Sequence, residues 1–134
     1  MRMLTRLVSA LFVTWLLPNT IAAQEPVSWG KDLTFHTFSI AAVDPETGEV
    51  GVAVTTRVAC VGNGVPWVRA GVGAVATQAS TRTEYGNELL DMLAEGMTAE
   101  AALRAAVSRD PRAARRQVGV VGLQGGGAQH TGEG

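Results

Sequence analysis

Thr37-Phe38-Ser39-Ile40-Ala41-Ala42-Val43, Asp44-Pro45-Glu46-Thr47-Gly48-Glu49 and Val50-Gly51-Val52-Ala53-Val54-Thr55-Thr56 follow one another in the chain, and their composition changes abruptly at each junction. The outer two segments are apolar or small, while the middle one is polar and holds the residues that reverse a chain. Pro45 presets φ, the Asp44 side chain can cap the turn, and Gly48 tolerates a positive φ. The three segments therefore read as strand, turn, strand. Small and apolar residues on both faces predict a sheet covered on each side. A symmetric hairpin pairs Val43 with Val50 and, counting back, sets Thr37 opposite Thr56, with Arg57 next door.

Downstream, residues 60–71 contain Gly62, Asn63, Gly64, Pro66 and Gly71 and read as a loop anchored by a buried Trp67. Residues 72–79 resume as a third strand, in which Gly73, Ala74 and Ala76 let another layer approach closely. Thr83 stands where an N-cap is wanted for a helix over 84–95, and Gly96 where its C-terminal cap belongs. Tyr85, Leu89, Met92 and Leu93 share one face of it. Thr98 opens a second helix with Ala102, Leu103, Ala106 and Val107 inward and Pro111 beyond its end. A strand over 117–123, a glycine-rich turn and a last strand complete the order. Strands, then helices, then strands predict an α+β fold with a largely antiparallel sheet.

Upstream the pattern is different in kind. Arg2 and Arg6 precede an apolar run over 7–17, Pro18 breaks it, and small residues follow at 20–23. That is the layout of a secretory signal, and the run is too short for a bilayer, which needs about 20 residues. The division expected is a signal peptide at 1–23, a linker at 24–35 and one domain at 36–134. The protein is then secreted or periplasmic, with no membrane association after cleavage. The whole chain has 134 residues, 46% of them hydrophobic, which excludes wholesale disorder. Eleven basic residues against twelve acidic ones leave no global field for nucleic acid. The single cysteine, Cys60, excludes an internal disulfide and a multi-cysteine zinc site, and reads as a small buried hydrophobe.

Several motifs dissolve on inspection. Gly71-Val72-Gly73-Ala74-Val75-Ala76 fits a dinucleotide fingerprint by spacing, but a loop precedes it and a strand follows. Gly125-Gly126-Gly127 is a hairpin turn rather than an anion nest. Glu84, Glu88, Asp91 and Glu95 form an acidic stripe that reads as a solvated helix face. Arg112, Arg115 and Arg116 read as a solvent-facing basic knot. His36 and His130 are too distant in sequence for a zinc motif. The sequence points to no cofactor and no metal.

What remains is the polar end of the hairpin, where Thr37, Ser39, Thr55, Thr56 and Arg57 collect, with Thr77 and Gln78 beside them. A threonine at a free N-terminus carries its own general base, because an α-amino group has an ordinary pKa of about 7.7–8.0 and can take the hydroxyl proton. A neighbouring arginine favours the neutral amine and supports developing oxyanion charge.

His36-Thr37-Phe38-Ser39-Ile40, Asp44-Pro45-Glu46-Thr47-Gly48, Val65-Pro66-Trp67, the run from Ala70 to Gln78 and Arg116-Gln117-Val118-Gly119-Val120-Val121 together resemble the bacterial and archaeal family called domain of unknown function 1028. That family is similar to the N-terminal-nucleophile hydrolases. The resemblance implies a four-layer αββα sandwich of antiparallel sheets, incomplete at the C-terminus, with Thr37 at the nucleophile position. Arg57, Thr56 and Gln78 then orient or polarise the site, and the substrate is an unidentified small molecule or peptide amide. The expected activity is that of an exported amidohydrolase, and it requires a second cleavage between His36 and Thr37. The alternatives are a non-catalytic envelope binding module on the same fold, or an inactive fragment. A homo-oligomer is compatible with either.

Overall fold

The reversal at Asp44 is held by its own side chain. Asp44 Oδ1 accepts from the backbone N–H of Glu46 at 2.8 Å and of Thr47 at 3.2 Å, and these bonds lower its pKa. Gly48 takes φ +77° to close the turn. The computed structural model describes residues 36–134, so the expected signal peptide (1–23) and linker (24–35) lie outside the described residues. Strand β1 (Phe38–Val43) pairs antiparallel with β2 (Val50–Thr55) in the register expected, Val43 opposite Val50 and Phe38 opposite Thr55.

A second antiparallel sheet follows in the order β3 (Pro66–Arg69), β4 (Gly73–Ala79), β5 (Arg116–Gly122), β6 (Gly127–Thr131). Helices α1 (Glu84–Ala94) and α2 (Ala99–Ser108) pack on one face of this sheet, and the β1–β2 hairpin lies over the other, against β3, β4 and β5. The described residues thus form an α+β stack of three layers: helices, sheet, hairpin. Alternation along the strands decides which side chain goes where. Val75, Thr77, Val118 and Val120 face the helices, where they meet Tyr85, Leu89, Leu90, Leu103 and Ala106 in the buried core. Ala76, Gln78, Gln117 and Gly119 face the hairpin, because directly opposed residues share a side: Ala76 with Gly119 and Gln78 with Gln117.

Helix caps follow the sequence with one difference. The Thr98 side chain accepts from the N–H of Ala101 at 3.2 Å and caps α2. Gly96, at φ +91°, ends α1 in a Schellman motif, with Gly96 N–H bonded to Leu93 C=O and Met97 N–H to Met92 C=O. Thr83 occupies the N-cap of α1, but its side chain makes no capping bond.

Some expectations are corrected. Residues 60–71 are not all loop: a 3-10 turn at Val61–Asn63 leads into β3. Four residues starting with proline give no readable alternation, and a proline, lacking an N–H, is tolerated at the start of an edge strand. Among the described residues the hairpin is covered on one face, and on its outer face Phe38 is 65% and Ile40 57% exposed. Cys60 is exposed, at φ +58°, rather than buried. Arg116 is not solvent-facing: its side chain is 7% exposed and its Nε donates to Asp110 Oδ2 at 2.8 Å. The acidic stripe of α1 faces solvent as expected, at Glu84, Asp91 and Glu95, and arginines flank it, with Glu88 between Arg82 (3.2 Å) and Arg109 (2.6 Å) and Asp91 against Arg69 (2.8 Å).

Asp110 is the hub of a buried cluster. Besides Arg116 it accepts from the Tyr85 hydroxyl at 3.0 Å and from the Arg112 N–H at 2.9 Å, while Arg116 also donates to the Ser80 carbonyl. The Arg116 guanidinium, with these N–H and O–H donors, brings the Asp110 pKa down to about 2 against the desolvation that opposes it. The pKa is lower in the folded chain than in the unfolded one, so the stabilisation is complete above pH 4 and is lost as pH falls toward 2. Replacing Asp110 by Asn strands a buried guanidinium, at a cost of about 3–5 kcal/mol near neutral pH. Urea titrations should show that deficit at pH 6 and a much smaller one near pH 2.

A tighter constraint sits at Gly86, on the face of α1 that meets β3. A Cβ at this position would overlap the Trp67 indole, whose Nε1 donates to the Gly64 carbonyl at 3.0 Å. Gly→Ala in a helix ordinarily gains about 1 kcal/mol. Here the sign should reverse: Gly86→Ala is expected to lose about 1–3 kcal/mol by overpacking, read from the urea midpoint.

Candidate functional site

Thr37 precedes β1 by one residue, and Thr56 follows β2 by one, so the hairpin register sets them face to face. Their hydroxyl oxygens are 2.9 Å apart. Thr56 Oγ1 also accepts from the Val58 N–H at 3.2 Å. Thr56 Oγ1 still has its proton and a second lone pair, so either hydroxyl can donate across the pair.

Gln78 ties this hairpin end to the sheet below. Its Nε2 donates to the Thr37 carbonyl at 3.0 Å and to Gln117 Oε1 at 2.6 Å, and its Oε1 accepts from the Ser39 hydroxyl at 2.7 Å. The residue is 7% exposed, so an amide with all these partners is held in one orientation. Gln117 Nε2 reaches on to Thr131 Oγ1 at 3.4 Å. A single chain of polar contacts thus runs from Thr56 through Thr37, Gln78 and Gln117 to the last strand.

Two hollows flank the chain. One, of about 270 Å³, lies beside β1 over β5 and β6, between Thr37 and Ser39 on one side and Gln117, Gln129 and Thr131 on the other. The other, of about 360 Å³, opens toward His36, Val58 and Thr81. None of the described residues lining the first is Asp, Glu, Lys or Arg. Among the described residues no cluster of His, Cys, Asp and Glu suits a metal ion.

Of the residues singled out from sequence, Thr37, Thr56 and Gln78 come together, with Ser39 joining them. Arg57 is exposed just beyond Thr56 and does not line either hollow. Two neighbours drop out. Thr55 pairs with Phe38 on the outer face of the hairpin, and Thr77 turns to the helix side, where its hydroxyl donates to the Arg82 carbonyl at 3.3 Å. Gln117, Gln129 and Thr131 were not visible as site residues. Their signal is the period-two alternation of β5 and β6, which names a face only once the pairing of β4, β5 and β6 is known. His130, the other histidine, bonds through Nε2 to the Ala113 carbonyl at 2.9 Å, a structural tie.

These features define a layered α+β protein with a hydroxyl and amide cluster at one end of its stacked sheets. The chain belongs to the family of unknown function DUF1028, whose model matches residues 37–134. A crystal structure of a Silicibacter pomeroyi protein of the same family is 39% identical and superposes with a TM-score of 0.69 over 75% of this chain. The match covers 46% of that protein, so this chain spans less than half of its length. No curated protein matches the sequence.

Gln78→Met keeps the length of the side chain and removes its three bonds. The variant should lose about 1–3 kcal/mol of stability, because the Thr37 carbonyl and the Gln117 amide are left short of partners. The urea midpoint reports the loss, and amide hydrogen exchange should accelerate first around Ser39.

Proposed function

We propose that the protein is an exported amidohydrolase of the N-terminal-nucleophile type, with Thr37 as nucleophile once the His36–Thr37 bond has been cut. The observation that carries this reading is the Thr37 hydroxyl, paired with Thr56 at the edge of a hollow while its carbonyl is anchored by Gln78. The anchor grips the side of Thr37 that survives the cut. Hydrolysis of the His36–Thr37 amide adds water, giving a carboxylate on His36 and an amine on Thr37, and leaves the Gln78 bond untouched. The family match beginning at Thr37 supports the same boundary.

In the reaction, the neutral α-amine takes the Thr37 hydroxyl proton as the oxygen attacks a substrate carbonyl. The Thr56 hydroxyl donates to the attacking oxygen and aligns it, and Arg57 supplies positive charge at this end of the hairpin. The amine returns its proton to the leaving nitrogen, the C–N bond breaks, and an ester on Thr37 remains. Water, activated by the same amine, hydrolyses that ester. Turnover rises with pH as the amine loses its proton, below its ordinary pKa of about 7.7–8.0 because the Arg57 charge favours the neutral form. The four-layer αββα sandwich belongs to this reading, and the apolar outer face of the hairpin, with Phe38 and Ile40 exposed, is the surface a second helical layer would cover. Export rests on the sequence of residues 1–23. Among the described residues no helix is long and apolar enough to cross a membrane.

N-terminal sequencing of the secreted chain should read Thr-Phe-Ser. A β-lactone, whose ring opens on attack to give an ester and a free hydroxyl, should add its full mass to Thr37 of that material. Thr37→Ser is expected to retain the adduct and Thr37→Ala to abolish it. A folded product beginning upstream of Thr37 and inert to the lactone overturns the catalytic reading and leaves a binding module.

A further inference from the structure

The hollow beside Thr37 is polar without being charged, and its shape comes from a missing side chain. Gly119 lies opposite Gln129 across the β5–β6 pair, on the face below the hairpin, and a Cβ placed there meets no atom within 4 Å. The strand leaves a pit at that point, walled by Gln117 and Gln129. Gln117 spends its carbonyl on Gln78 and holds Thr131 only loosely, at 3.4 Å, which leaves an N–H to spare. The Gln129 amide is exposed, lines the hollow and is hydrogen-bonded to no other side chain among the described residues.

Such a pit presents both donors and acceptors and no Asp, Glu, Lys or Arg, and the histidine of its lining, His130, is committed through Nε2 to the Ala113 carbonyl. We propose that it binds the end of an acyl chain that terminates in a primary carboxamide, read by Gln117 and Gln129, and that it discriminates against the corresponding carboxylate. A carboxamide offers two N–H donors and a carbonyl, matching glutamine amides that are themselves donor and acceptor. A carboxylate only accepts, so the acceptor positions of Gln129 go unmet, and no lysine or arginine lines the hollow to offset its desolvation. An ammonium group lacks a counter-charge for the same reason. The proposal rests on the amidohydrolase reading for its place in a reaction, and agrees with it on one further point. An anion held beside Thr37 would keep the α-amine protonated and remove the base.

Binding can be measured without turnover. Titrating the full chain with N-acetylglutamine N-methylamide should move the side-chain NH₂ resonances of Gln117 and Gln129, with an affinity at least about tenfold above that for N-acetylglutamate α-N-methylamide, which differs only in its side-chain carboxylate. Gly119→Leu fills the pit and should abolish the shifts at an unchanged circular dichroism spectrum. Gln129→Leu, on an exposed edge-strand position, should narrow the amide-to-acid preference to within twofold. Equal or tighter binding of the acid, or amide binding that survives Gly119→Leu, overturns the proposal. Lactone labelling of Thr37 reports separately on catalysis: amide binding without labelling sinks the hydrolase reading alone, whereas labelling with preferred acid binding sinks this one alone.

Discussion

One buried carboxamide couples the two sheets at the site. Gln78 sits on the central strand pair of the larger sheet, almost out of reach of solvent, and must find partners there or leave polar atoms stranded. It finds them in both layers at once, with Thr37 and Ser39 above and Gln117 alongside. The position of Thr37 is therefore not set by its own loop. It follows from the register of β4 against β5 on one side and of β1 against β2 on the other.

The remaining architecture keeps that register fixed. Helices α1 and α2 bury Tyr85, Leu89, Leu90 and Leu103 against β4 and β5, and each such side chain contributes about 1.5–3 kcal/mol when fully withdrawn from water. At the start of β5, one residue before Gln117, the Asp110–Arg116–Tyr85 cluster connects the segment after α2 to α1 and to the strand. Exposed pairs such as Arg104–Glu100 add little by comparison, since both members stay solvated. The same sheet thus carries an apolar face toward the helices and an amide-rich face toward the hairpin, and the boundary between structure and chemistry runs through it.

The parts legible in the sequence are those specified locally. Asp44, Pro45 and Gly48 encode their turn within six residues, and a symmetric hairpin leaves one register, so the juxtaposition of Thr37 with Thr56 could be read from the chain alone. Thr98 and Gly96 likewise mark helix ends through contacts one turn away. Strand β3 escaped because proline and glycine neighbours disguise four residues, and its pairing with β4 is not written in its own pattern. Arg116 read as a surface charge because its partner, Asp110, is six residues back and meets it only after the chain bends through a 3-10 turn at Ala113–Arg115. Gln117 and Gln129 were silent for the same reason: a polar residue on a strand announces a face, and which face holds a site depends on the layer stacked against it.

The close contact between Trp67 and Gly86 has an optical consequence. Of the three tryptophans in the chain, two, at 15 and 29, precede Thr37. A product starting at Thr37 carries a single indole, wedged between a glycine of α1 and the Gly64 carbonyl. Its ultraviolet emission, excited at the red edge where tyrosine does not absorb, is then a gauge of whether the first helix is seated on the edge of the sheet, with no label attached and no second indole to subtract.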